Sequence, residues 1–321
     1  MHSTLTRRRV LTLGAGTAAA LTTLTVAAPG TATATPTGQS TGQPRGKSAG
    51  AAGLEHRFSA LEKEYAARLG VFALDPSTGA TVAHRARDRF PLCSVFKALA
   101  AAAVLRDLDH HGEFLAKRLH YTAAYVRKSG YSPVTGKAEN IEHGMTVGEL
   151  CAATVGESDN TAGNLLLQQL GGPTAITRFS RSLGDRETRL DRWEPELNSA
   201  EPWRETDTTT PRALGGTLGR LLLGSALERP DRERLTGWLV ANTTNTERFR
   251  EALPGWTLAD KTGGGSAYGV ANDAGVVRPP DGPPLVLVIL SAKHDPQGPT
   301  DNPLVARAAR LAAHSLVAGR P

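Results

Sequence analysis

The chain is short of several things that a reader would use to classify it. Its 321 residues contain two cysteines, Cys93 and Cys151, so no disulfide framework can define the fold. Nine histidines are present but none falls in an H-x-H or H-E-x-x-H arrangement, which removes the common zinc-hydrolase patterns and implies no metal or cofactor. Residues 1–54 contain no acidic side chain at all, although Arg7, Arg8, Arg9, Arg45 and Lys47 lie there. Those five positive charges account for most of the net charge of +6 and leave +1 on the remainder. A nearly neutral body without a basic stripe gives no electrostatic case for nucleic acid. Internal repeats are absent, and no run of ~20 strongly apolar residues is available to span a bilayer.

The acid-free N-terminus has its own logic. Thr6-Arg7-Arg8-Arg9-Val10-Leu11 leads into an Ala-, Thr- and Gly-diluted apolar stretch that reaches small-residue sites such as Ala32-Thr33-Ala34. This reads as an export signal over 1–34, of the twin-arginine type that carries folded cargo. The expectation is a secreted protein with no stable membrane association after cleavage. Residues 35–52 are Thr, Gly, Pro, Ser and Gln with almost nothing to bury, hence a disordered linker. Gly46-Lys47-Ser48-Ala49-Gly50 matches the G-x-S-x-G elbow in letters only, because no strand precedes it and no helix follows.

Within the body, apolar residues at helical spacing (Phe58, Leu61, Tyr65, Leu69) predict a helix over 55–69. Gly70–Leu74 and Ala80–His84 around Asp75-Pro76-Ser77-Thr78-Gly79 predict a hairpin. From about 94 to 240 the pattern is helical with short breaks, one of them the stop at Gly171-Gly172-Pro173. Strands return at 256–260, 268–277 and 284–291, and an amphipathic helix over 303–317 closes the chain. Strands at both ends with helices between predict an α+β fold. One antiparallel sheet is built from both termini and flanked by helices (53–90 and 240–318), and an all-helical lobe (91–239) is inserted into it. The seam between two such lobes is a natural place for a ligand.

Four short motifs carry the chemistry. Ser94 and Lys97 are three apart, so at the start of a helix they share one face, where the dipole favours developing negative charge. A lysine that close acts as a base if desolvation removes its proton, or orders a proton network if it stays charged. Ser158-Asp159-Asn160 precedes an apolar helix, where its plain structural reading is an N-cap. Glu194 and Asn198, in a stretch of neither helical nor strand periodicity, could hold one water between them. Lys261-Thr262-Gly263 follows a strand and runs into Gly264 and Gly265, which offers a cation beside backbone that a ligand can approach.

In this order the set resembles the class A serine β-lactamases, of the secreted actinobacterial type. The similarity runs from about Leu54 to Val317 and takes in Tyr131-Ser132-Pro133-Val134-Thr135, Gly144-Met145-Thr146-Val147 and Asn160-Thr161-Ala162. The resemblance implies a β-lactamase/transpeptidase-like fold and a monomer acting on a small-molecule β-lactam. Ser94 would be the nucleophile, with the N–H groups of Ser94 and Gly264 as oxyanion hole and Ser158 as proton donor to the departing nitrogen. Glu194 and Asn198 would activate the hydrolytic water, and either Lys97 or Glu194 would be the acylation base. Asn160, Lys261, Thr262 and Gly263 would bind substrate, and Tyr131 would flank the pocket. Penicillins come first in the expected spectrum and narrow cephalosporins second.

Two departures from the family pattern matter. Many members place an arginine on the strand after Lys261, where alignment of the strands puts Val270; Arg248 falls at an alternative upstream position. The family's disulfides would need partners for Cys93 at Gly265 and for Cys151 at Ala101, so both thiols are expected to be free. Two other readings are a D,D-peptidase, which shares three motifs but lacks the Glu194–Asn198 element, and a non-catalytic β-lactam sensor, which would need a tether or partner domain.

Overall fold

The computed structural model describes residues 49–320; the signal expected over 1–34 and nearly all of the expected linker lie outside the described residues. Five strands, β1 (Ala67–Leu74), β2 (Thr81–His84), β3 (Thr257–Gly264), β4 (Ala271–Arg278) and β5 (Leu285–Lys293), form one sheet in the order β2-β1-β5-β4-β3. Every pairing in it is antiparallel. The N-terminal strand β1 lies along the C-terminal strand β5 from Ala67↔Lys293 to Leu74↔Val286, so the sheet is indeed closed by both ends of the described chain.

Alternation along β5 divides the core. Leu285, Leu287 and Ile289 face an outer layer with Phe58, Leu304 and Val305, whereas Val286, Val288 and Leu290 face the helical insertion. The outer layer is built from α1 (Ala49–Tyr65) and the closing helix, Asn302–Ala318. Each such buried aliphatic side chain contributes about 1.5–3 kcal/mol relative to exposure. Helix α1 begins within the stretch read as linker, since Ala49, Ala51 and Ala52 are strong helix formers, so the expectation that no helix follows the G-x-S-x-G letters was wrong. Leu69 was expected to end that helix; instead the helix stops at Tyr65, Ala66 turns with φ 46°, and Leu69 joins Val71 and Ala73 on one face of β1. Tyr268 was expected to open a strand, but it and Gly269 have φ of 56° and 49° and form the turn, so β4 begins at Ala271.

The insertion leaves and rejoins the sheet at one place: Phe90 and Pro91 pair with Thr209 and Thr208. Between them lie α2 (Phe96–Asp107), α3 (Val147–Gly156) and α4 (Asn160–Gln169). A capping box, Thr146 with Glu149, starts α3, and α4 ends at Gly171 and Gly172, both with positive φ. After the rejoining point Pro211–Leu222 packs against the sheet, with Leu214 and Leu218 in the inner cluster. Cys93 and Cys151 are buried and free, as expected from the absence of thiols at Gly265 and Ala101.

Candidate active site

The site assembles around a 3-10 turn, Cys93–Val95, that runs directly into α2. Ser94 sits on this turn, nearly buried, and Lys97 follows on the first turn of the helix, fully buried. The ammonium of Lys97 is surrounded. Its Nζ lies 2.9 Å from Ser94 Oγ, 2.6 Å from Asn160 Oδ1, 2.7 Å from the Ser158 carbonyl and 3.0 Å from Glu194 Oε1. Burial pushes the Lys97 ammonium down from its ordinary value, and Glu194, then Asp159, opposes that push. Ser94 Oγ in turn donates to Glu194 Oε1 at 3.3 Å.

Ser158, Asp159 and Asn160 approach from the opposite side, and the N-cap reading of this triplet is also correct. Asp159 caps α4 through the Ala162 N–H and accepts further bonds from Val134 N, Thr135 N and Thr135 Oγ1. It therefore fixes the loop that carries Tyr131, whose carbonyl accepts from Asn160 N–H while its ring stands 59% exposed. Ser158, with φ 58°, presents its hydroxyl to both lysines: Lys261 Nζ at 3.0 Å and Lys97 Nζ at 3.4 Å. Strand β3 supplies Lys261, fully buried, with Thr262 bonded through its hydroxyl to Thr244. Gly263 is required by proximity, since a Cβ there would meet Val95 Cγ2 at 3.1 Å and the Leu92 carbonyl at 3.2 Å. Gly264 ends the strand, across from Ala271.

Glu194 comes from an irregular loop, joined to Pro195 by a cis peptide. Its Oε2 accepts from Asn198 Nδ2, whose own Oδ1 is buried without a partner among the described residues. The sequence did not single out the group that places Glu194. Asn164 Nδ2 donates to the Glu194 carbonyl at 2.9 Å and Asn164 Oδ1 accepts the Glu194 N–H at 3.0 Å, a two-point clamp on the backbone. Asn164 stands four residues after Asn160, on the same face of α4, and that spacing is the signal that could have found it. Arg192 and Asp207 then close the loop, with Arg192 Nε 2.5 Å from Asp207 Oδ2.

A match to the β-lactamase enzyme family covers residues 53–316. A β-lactamase from Kitasatospora aureofaciens is 69% identical over 83% of this chain and 86% of its own length. The solved β-lactamase from Streptomyces albus G superposes with a TM-score of 0.81 at 57% identity, covering 82% of this chain and 99% of that one. An ancestral class A β-lactamase structure gives 0.76 at 46% identity, with 82% and 99% covered. The chain belongs to the class A β-lactamases. It is thus a β-lactam hydrolase with the α+β fold of that family.

The strand after Lys261 carries no arginine at the aligned position, which is Val270. Val270 is buried in a small apolar cluster with Cys93 and Tyr268, and the register pairs Gly264 with Ala271, so neither position supplies a guanidinium. Arg248, half-buried at the start of a short helix, reaches the same strands from the side: Nη1 donates to the Gly263 carbonyl at 2.9 Å and to the Asn272 carbonyl at 2.6 Å. Arg250 instead turns to Asn245 Oδ1 and the Asn242 carbonyl. Among the described residues no group of three or more His, Cys, Asp or Glu side chains is disposed to hold a metal, and no helix is long and apolar enough to cross a membrane.

Proposed function

We propose that this β-lactamase works by acylation of Ser94 and hydrolysis of the acyl-enzyme by a water held between Glu194 and Asn198. The observation that carries this reading is the convergence of Lys97 Nζ and Glu194 Oε1 on Ser94 Oγ, at 2.9 and 3.3 Å. Ser94 Oγ attacks the lactam carbonyl while its proton passes to the base. With Lys97 charged and Glu194 ionised, Glu194 accepts it; moving one proton from Lys97 to Glu194 makes Lys97 the acceptor. The backbone N–H groups of Ser94 and Gly264 stabilise the tetrahedral oxyanion, each donor being worth ~10²–10³ in rate. The C–N bond then breaks, and the nitrogen takes a proton through Ser158, which Lys261 and Lys97 both contact.

Deacylation reverses the attack. Water loses a proton to Glu194 and adds to the ester carbonyl; the C–O bond to Ser94 then breaks, and Oγ takes a proton back from Glu194, directly or through Lys97. Asn198 Oδ1 supports this role, since it is an acceptor with no partner among the described residues, next to the Glu194 carboxylate. Asn160 binds the substrate's side-chain amide, Lys261, Thr262 and Arg248 its carboxylate with Gly263 leaving room, and Tyr131 lines the rim. Penicillins are the first substrates of this reading and narrow cephalosporins the second. Twin-arginine export of a folded monomer completes it, motivated by Arg7-Arg8-Arg9 and the diluted apolar run after them.

The test is turnover of a chromogenic cephalosporin by wild type and Glu194→Ala. Wild type turns over many equivalents; the variant stops after about one, as a trapped acyl-enzyme. A wild type that also stopped after one equivalent would sink the hydrolytic half and favour a D,D-peptidase or sensor.

A further inference from the structure

The arginines of this chain are mostly committed to partners. Arg85 and Arg307 pair with Glu62 and Glu64, and Arg310 donates to the Glu251 and Ala252 carbonyls. Arg87, Arg186, Arg212 and Arg220 differ. Among the described residues none of their guanidiniums forms an ion pair or a hydrogen bond. All four are exposed, and all four line one cleft of about 510 Å³. Phe72 on β1, the segment 184–187 and the helix Pro211–Leu222 contribute its walls, beside the place where the helical insertion rejoins the sheet.

Two of these guanidiniums have defined seats. Arg212 Cζ lies 4.7 Å from the centroid of the Phe72 ring. Arg220 reaches back one turn over Gly216, its Nη1 3.2 Å from where a Cβ at that glycine would stand. Arg212, Gly216 and Arg220 follow at intervals of four on one helix face, so Arg220 leans toward Arg212 rather than away from it. Like charges gathered on a concave surface repel one another unless an anion lies between them.

The carboxylates nearby are already taken. Asp185 accepts from the N–H groups of Glu187 and Thr188 and from the hydroxyls of Thr188 and Thr217. Glu187 pairs with Arg89 at 2.8 Å, and Asp88 stands 3.6 Å from Arg85 and 3.7 Å from Arg68. Thr210, which caps the helix, also lines the cleft, so the positive end of the helix dipole lies beside it. The first N–H groups of that helix are bonded to Ala86 and Thr210, so the helix adds field and no free donor. Outside the N-terminal segment the chain carries a net charge of only +1, so the cluster is a local feature and not a sample of a basic surface.

We propose that this cleft is a binding site for an oligophosphate, an anion of two or more linked phosphate groups. Guanidiniums hold phosphate oxygens through paired, charge-assisted hydrogen bonds. A single phosphate brings about −1.5 to −2 at pH 7 and leaves half of the four charges unmatched, so charge balance calls for a chain. The volume lies within the range of small-molecule sites. Phe72 is buried beneath Arg212, and no other aromatic ring among the described residues lines the cleft, so nothing there stacks on a nucleobase. None of the four arginines belongs to the catalytic machinery, and binding is independent of the acylation scheme.

Titration calorimetry of the full chain with tripolyphosphate tests this. One equivalent should bind, at least about tenfold more tightly than orthophosphate, and more weakly as salt is raised. ATP should match tripolyphosphate within about threefold, because the chain of phosphates and not the base is recognised. Arg212→Gln/Arg220→Gln should weaken tripolyphosphate at least about tenfold while turnover of the chromogenic cephalosporin stays at the wild-type level. Arg57→Gln/Arg310→Gln removes the same charge from the outer-layer helices and should change affinity less than about twofold. Arg87→Gln/Arg186→Gln, from the other walls, should repeat the loss and carries the test if the first variant does not keep its turnover. No binding by wild type, unchanged affinity in the cleft variants, or an equal loss in Arg57→Gln/Arg310→Gln would overturn the proposal.

Discussion

The two halves of the site are held by different means. The half to which the proposed mechanism assigns acylation (Ser94, Lys97, Ser158, Asn160 and Lys261) stands on or beside α2, α4 and β3, and backbone hydrogen bonding and core packing fix it. The half to which it assigns deacylation is a loop with no ladder of its own. Glu194 is placed by Asn164, by the Arg192–Asp207 closure and by the bond from the Ser266 N–H to the Asn198 carbonyl at 2.8 Å. Side chains do for the loop what secondary structure does for the rest. Changes to that support should therefore slow hydrolysis while leaving acylation in place.

In the proposed mechanism Ser94 is the nucleophile, and its loss has the largest expected effect. Ser94→Ala removes the atom both halves serve, and turnover should fall on the order of 10⁶ with no acyl-enzyme visible by mass spectrometry. A persistent adduct in that variant would mean that another residue is acylated. Asn164→Ala comes next. Losing both points of the backbone clamp should displace Glu194 and cost about 10² in deacylation, with a stoichiometric burst preserved. Loss of the burst together with turnover would show that the clamp holds both halves, and the distinction drawn above would fail.

Arg192→Ala tests the same idea from the ends of the loop. Asp207 is almost fully buried and also accepts the N–H groups of Asp191 and Arg192, so removing its ion-pair partner leaves a buried charge. The expected cost is about 3 kcal/mol, concentrated in the loop, because the arginine itself is partly exposed. Limited proteolysis should cut between 191 and 207 in the variant first. Cleavage elsewhere at the same rate would argue that the loop is not a separate unit of stability.

Legibility in the sequence follows the same division. The strands and helices were readable because alternation and helical spacing record which face is buried, and the motifs on them could be placed. The boundaries that failed, Leu69 and Tyr268, are where a turn with positive φ interrupts a run that still looks periodic. Glu194 and Asn198 were visible as a carboxylate and an amide four apart that could hold a water, but only the resemblance gave that pair weight, since a loop held by side chains has no period. Asn164 and Asp207 were not visible at all. Each acts through partners 15 to 30 positions away, a relation only the fold reveals.

Arg248→Ala against Arg250→Ala has a smaller expected effect and bears on substrate binding in the acylation half. Arg248 contacts the Gly263 carbonyl next to Lys261 and Thr262, and its loss should raise KM for penicillins about tenfold. Arg250 bonds only to Asn245 and Asn242, away from that strand's open edge, so its removal should change KM less than about twofold. Equal effects would mean that the carboxylate is bound by Lys261 and Thr262 alone.

The smallest expected effect concerns the thiols, one in each kind of surrounding. Cys93 sits on the nucleophile turn with φ 45°, and Cys151 lies inside α3; both are fully buried, and burial pushes both thiols up, so neither offers a thiolate. Alkylation of the native enzyme should leave mass and activity unchanged. Denaturation without reductant should then expose two thiols and add two alkyl groups. Rapid native labelling at Cys93 would show that the nucleophile turn opens in solution. The acylation half would then be no more rigid than the loop opposite it.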